Sequence, residues 1–124
     1  MTDAARYVRV ENVTRGTELA ASLPVAKSMR DRMVGLLRTS ERDLGDGLLI
    51  ERSPSIHMFF MRYAIDAVFV DAAGRVTRTE PGLRPWRVVW WARGARDYLE
   101  LPVGRMAESD THVGDMLEVT PLSR

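Results

Sequence analysis

Apolar positions crowd most densely over residues 56–70, where only His57, Arg62 and Asp66 interrupt a run that holds all three Phe of the chain. Such a run belongs at the centre of a core, because exposing it would leave a large apolar area in water. Around it the pattern is one of short strands. Residues 7–13 are rich in β-branched types, Thr14-Arg15-Gly16-Thr17 supplies a turn, and residues 18–23 return, which predicts a first hairpin. Pro24 is expected to end the second strand or to confine it to an edge. Further short strands are predicted at 48–50, 56–61, 75–80, 88–91, 96–101 and 116–119. Residues 65–70 read as another strand, or as the continuation of 56–61 past a bend.

One segment leaves the period of two. Residues 28–38 place Met29, Met33, Leu36 and Leu37 at helical spacing, with Arg30, Arg32 and Arg38 on the remaining positions. Ser28 can cap this helix, and Asp31 suits its positive end. Gly35 within it costs about 1 kcal/mol relative to Ala. Residues 102–110 read as a short helical turn. The expectation is one domain over 1–124, mainly β: a compact β-sandwich or β-barrel of about eight short strands. One α-helix (about 28–38) packs alongside, with a short helical turn near 103–110.

Composition narrows the chemistry. The 124 residues include no Cys, which excludes disulfides, thiolate zinc sites and thiol nucleophiles. Eighteen basic residues stand against seventeen acidic ones, so a global field that would draw nucleic acid or a membrane is not expected. Residues 1–9 are polar and lack the apolar core of a signal peptide, and no run is long enough to span a bilayer. A cytoplasmic monomer is expected, with no nucleic-acid and no membrane partner.

Two constellations remain. The first is His57 and Asp66, polar groups in an apolar setting, with Arg62 as the nearest partner in sequence and Glu100 as a possible neighbour. A buried carboxylate must be paired, hydrogen-bonded or protonated. The structural alternative has Asp66 satisfying backbone N–H groups or an Arg at a strand bend. The second is the window 83–98, which holds all three Trp (Trp86, Trp90, Trp91) and Arg84, Arg87, Arg93 and Arg96 against Asp97 alone. Trp faces stack on planar ligands and Arg grips anions. Alternatively, Trp86 and one of Trp90 and Trp91 close the core, with Arg stems covering their edges. A metal site is not expected, since His57 and His112 are the only His and no ligand-spacing motif is present. No nucleophile elbow, Walker loop or dinucleotide fingerprint occurs, and no cofactor is expected.

Three stretches resemble the family known as domain of unknown function 192, a widespread prokaryotic group. They are Arg32-Met33-Val34-Gly35-Leu36-Leu37-Arg38, the central His57-Met58-Phe59-Phe60-Met61-Arg62-Tyr63-Ala64-Ile65-Asp66, and Tyr98-Leu99-Glu100-Leu101-Pro102-Val103-Gly104 with the later Val113-Gly114-Asp115. The resemblance covers about 25–119. Ala64 departs from it, standing where the family often has Pro. The resemblance implies a β-sandwich or barrel with a helix alongside, and no activity.

Three functional readings follow. In the first, a non-catalytic accessory domain binds a small ligand in a pocket of His57, Phe59, Met61, Arg62, Asp66, Trp86 and Glu100. In the second, a hydrolase or lyase uses His57 as acid/base with Asp66 orienting it. In the third, an interaction module presents the Arg/Trp segment 83–98 to a protein partner, a reading that exposed Trp86 and Trp90 would favour and burial would end.

Overall fold

The computed structural model describes residues 6–27, 45–59 and 61–122; the helix expected at 28–38 lies outside the described residues. Among these residues nine strands run in chain order. They are β1 (Tyr7–Asn12), β2 (Thr17–Ala26), β3 (Leu48–Ile50), β4 (Ile56–His57), β5 (Ile65–Val70), β6 (Val76–Leu83), β7 (Val88–Val89), β8 (Asp97–Leu101) and β9 (Leu117–Pro121), with a single helical turn α1 (Arg105–Glu108) before the last.

Seven strands form one sheet in the order β6-β5-β8-β3-β2-β1-β9, curled into a half-barrel, and β4 and β7 form a separate two-stranded ribbon. Strands β5 and β8 are buried at every position. A strand reads as continuously apolar, rather than alternating, when both of its faces are covered. Here each face meets its own cluster. Val68, Val70, Leu99 and Leu101 point into the curl, among Val8, Val10, Leu19, Leu23, Leu49 and Leu117. Ile65, Ala67, Phe69 and Tyr98 point the other way, onto Ile56, Met58 and Val89 of the ribbon segments. Full burial of each large side chain contributes roughly 1.5–3 kcal/mol, so the ribbon is held by the apolar surface it covers.

The two edges of the curled sheet meet at one end. Arg75 bridges Met116, Val76 N–H donates to Asp115 O (2.8 Å), and Leu117 N–H donates to Gly74 O (2.8 Å). A Cβ on Gly74 would lie 2.5 Å from Leu117 O, so the seam closes only with glycine there. A buried polar knot ties the same corner. Asp115 Oδ2 accepts from Asn12 Nδ2 (3.0 Å), Arg15 Nε (3.0 Å) and His112 N–H (2.9 Å). These donors hold the Asp115 carboxyl far below the usual carboxylate range; the Arg15 bond contributes most and outweighs the opposing effect of burial.

The mainly β, barrel-like fold with a short helical turn agrees with the sequence reading; details differ for physical reasons. Pro24 does not end β2. The strand pairs antiparallel with β1 as far as Tyr7↔Pro24 and then parallel with β3 from Val25↔Leu49, so the proline sits between two ladders and removes a donor from the interior of neither. The strand expected over 56–61 shortens to Ile56–His57, because Met58 N–H turns to Arg87 O (2.8 Å) while Met58 O accepts from both Trp86 and Met61. Strand β6 runs on through Pro81 to Leu83, at the edge of the sheet where a proline is tolerated.

Two outcomes follow for stability. A Cβ on Gly47 (φ +116°) would lie 1.9 Å from Glu100 O, whereas Gly82 (φ +60°) has open space around it. Gly47→Ala should lose about 3 kcal/mol or more by urea denaturation, and Gly82→Ala about 1 kcal/mol; equal losses would contradict the close strand approach. For Asp115, whose folded carboxyl is depressed, the stabilisation is complete above its unfolded value of about 3.9 and is lost as pH falls towards the folded value. Asp115→Asn should therefore weaken the protein at neutral pH and flatten its loss of stability below about pH 4, as read from urea midpoints across that range.

Candidate recognition surface

The ribbon arises because its sequence alternates between the core and the outside. Ile56 pairs with Val89 and His57 with Val88. Ile56, Met58, Val89 and Ala92 are buried against the sheet. The ends of the ribbon are fixed by the backbone: Trp86 N–H donates to Met58 O (2.7 Å), Ala92 N–H to Pro54 O (2.7 Å), and Trp91 N–H to the Ser55 hydroxyl (2.8 Å).

The tryptophans that flank β7 face water. Trp86, Trp90 and Trp91 are 59%, 69% and 76% exposed. The core-closing alternative for these residues is therefore not what the structure shows; Ile56, Met58, Val89 and Ala92 fill the space it assigned to indoles. His57 stacks on Phe59 with ring centroids 4.8 Å apart, and Phe59 meets Trp86 at 5.9 Å, a run of three rings leading from the ribbon edge to the surface. Trp86 and Trp91 both hold positive φ, +70° and +53°. Bulky residues rarely adopt that region, and each such residue costs on the order of 1–3 kcal/mol.

The charge around the ribbon is one-sided. Residues 52–65 and 81–96 contain six Arg and no Asp or Glu. Arg96 is paired with Asp97 at 3.0 Å. Arg52, Arg62, Arg84, Arg87 and Arg93 are exposed, and no ion pair joins them to the described residues. A third of the basic residues of a nearly neutral chain thus lies in the two segments that contain the ribbon strands.

Of the seven residues singled out from the sequence, the structure brings three together: His57, Phe59 and Trp86. Met61 is buried in the cluster beneath them, and Arg62 is exposed. Glu100 is fully buried in β8 opposite Ala67, on the ribbon-facing side of the sheet. Asp66 lies on the other face, because it precedes Ala67 on β5 and successive side chains of a strand point to opposite sides. Its Oδ1 accepts from Gly82 N–H (2.9 Å), and its Oδ2 accepts from Gly104 N–H (3.0 Å) and Met106 N–H (3.1 Å). One carboxylate thus anchors the end of β6 and the start of α1 to the centre of the sheet.

Asp66 also lines a cleft of about 670 Å³ with Thr79, Val103, Met106, Asp110 and His112. On its rim His112 Nε2 lies 2.6 Å from Asp110 Oδ1. Among the described residues no group of three or more His, Cys, Asp or Glu is placed to hold a metal ion. The Asn12–Arg15–Asp115 knot was invisible in the sequence, since its members are about a hundred positions apart. No local spacing marks it beyond the Gly114-Asp115 turn.

Fold and surface define a small half-barrel domain that carries an outward-facing aromatic and basic ribbon. By sequence the chain belongs to the DUF192 family, described as "Uncharacterized ACR, COG1430", which matches residues 10–119. It is similar to the UPF0127 protein of Pyrococcus furiosus, 32% identical over 110 residues that span 86% of this chain and 94% of the relative. A UPF0127 protein of Thermococcus gammatolerans is 33% identical over 110 residues, 86% of this chain and 71% of that one. In three dimensions it is similar to a Sinorhizobium meliloti protein proposed to be a transcription regulator, with a TM-score of 0.71 at 22% identity and 96% of both chains covered. A Novosphingobium aromaticivorans protein of unknown function gives a TM-score of 0.67, also at 22% identity, over 92% of this chain and 84% of that one. At such identity these likenesses establish the β-rich fold alone.

The three bonds to Asp66 set an expectation. Asp66→Ala leaves three backbone donors, one buried and two half-buried, without their acceptor and should destabilise by about 3 kcal/mol. Asp66→Asn retains an acceptor at one position and should lose less. Urea midpoints check the order; indifference to both changes would contradict the anchoring role.

Proposed function

We propose that this protein is a non-catalytic interaction domain that docks a partner protein through the β4–β7 ribbon, with the half-barrel serving as its rigid support. The observation that carries this reading is the exposure of Trp86, Trp90 and Trp91, which flank β7 in a segment rich in exposed Arg. Trp and Arg are the residues that dominate the energetics of protein interfaces. Two of the indoles are held at positive φ, and backbone strain of that kind collects at functional positions.

The small-ligand reading has weaker support. His57, Phe59 and Trp86 meet, but Asp66 sits on the other face of the sheet. The hydrolase or lyase reading needs Asp66 to orient His57, and both Asp66 oxygens are engaged by backbone donors.

A photo-crosslinking amino acid placed at Trp90, in cells of the source organism, should give a discrete adduct. One placed at Glu118 on edge strand β9 should not. The Trp90 adduct should disappear in an Arg87→Glu/Arg93→Glu background, which leaves the exposed surface folded. Equal labelling from both positions, or none from either, would overturn the docking role of the ribbon.

A further inference from the structure

Resting on that reading, we infer that the segment docked by the ribbon is an acidic stretch of polypeptide that also carries aromatic side chains. The first half of the inference comes from charge. Six Arg and no carboxylate occupy residues 52–65 and 81–96, and five of these guanidiniums have no ion pair among the described residues. Like charges facing one another across an interface are costly, so a basic partner is excluded and a neutral one leaves the guanidiniums without counter-charges. Arg forms planar, bidentate bonds with carboxylates, and such pairs direct both encounter and register.

The second half comes from the rings. Trp90 and Trp91 follow β7 directly, and Trp86 ends the His57–Phe59–Trp86 run with its outer side in water. A segment of carboxylates alone would answer the guanidiniums and leave three indoles in contact with solvent. A segment with Tyr or Phe among its acidic residues answers both, through ring contacts with centroids about 4.5–7 Å apart. The strands of the ribbon are two residues long, so the partner lies across their outer side rather than extending a β-ladder.

The chain provides its own reporter. All three Trp lie within three residues of β7 in the chain, so intrinsic indole emission reads the surroundings of the ribbon. The test titrates the intact protein with poly-L-glutamate, with a random copolymer of Glu and Tyr, with poly-L-lysine and with oligothymidylate. The Glu–Tyr copolymer is expected to change the emission saturably, at lower concentration than poly-glutamate, with an affinity that falls as salt rises. Arg87→Glu/Arg93→Glu should weaken it by on the order of tenfold or more with an unchanged urea midpoint. Poly-lysine should have no effect.

Tighter binding of oligothymidylate than of the copolymer would overturn the inference in favour of a single-stranded nucleic acid. Silence from every polyanion, with the crosslink from position 90 still present, would overturn the acidic class and leave the docking role standing. Silence together with loss of that crosslink would remove both.

Discussion

Strands β5 and β8 have no side that can face water, and the rest of the fold answers that constraint. The interior of the half-barrel covers Val68, Val70, Leu99 and Leu101, but curling the sheet leaves Ile65, Ala67, Phe69 and Tyr98 outside the curl. A two-stranded ribbon has little stability of its own. It persists here because Ile56, Met58 and Val89 lie on that outer face. The element with the weakest internal pairing therefore rests on the most apolar surface. Its other side is free to carry residues that contribute nothing to the core.

That division separates two kinds of polar residue that look alike in the sequence. Asp66 and Asp115 are buried, and each accepts three hydrogen bonds that fasten chain segments from different parts of the sheet. They are structural acceptors, and the geometry around them is complete. Arg52, Arg62, Arg84, Arg87 and Arg93 are the reverse case: exposed, without an ion pair to the described residues, and in the same segments as three exposed indoles. The proposed recognition role rests on the second kind, because no described residue pairs with those guanidiniums.

Much of this was legible in the sequence. The mainly β class, the strand at 65–70, the hairpin after 70 and the short turn before the last strand follow from alternation and turn residues. The bland reading of Asp66 as a backbone acceptor was open from the outset, and it is the one its three bonds bear out. What alternation could not supply was direction. Val88-Val89-Trp90-Trp91 reads as a strand, and four apolar residues in a row carry no sign of which faces the sheet. Only Val89 is buried, and both indoles turn outward. Net charge is silent on local surfaces for a related reason. Eighteen against seventeen describes the whole chain, whereas a surface is built from whichever segments the fold brings side by side. The Asp115 knot lay beyond any local signal, since sequence distance hides contacts between the two ends of a sheet.

The order of strands has a consequence for how the protein is made. Strand β1 lies between β2 and β9, and its register with β9 sets Val10 opposite Val119 and Asn12 opposite Leu117. A ribosome releases β1 long before β9, so a growing chain carries an unpaired β1 edge while the strands between them are made. Contacts this distant in sequence form slowly, and an uncovered edge invites pairing with other chains. The arginine and glutamates at Arg9, Glu11 and Glu18, which form ion pairs along this hairpin, put charge on the edge during that interval. They act as guards of the nascent chain as much as ornaments of the finished fold.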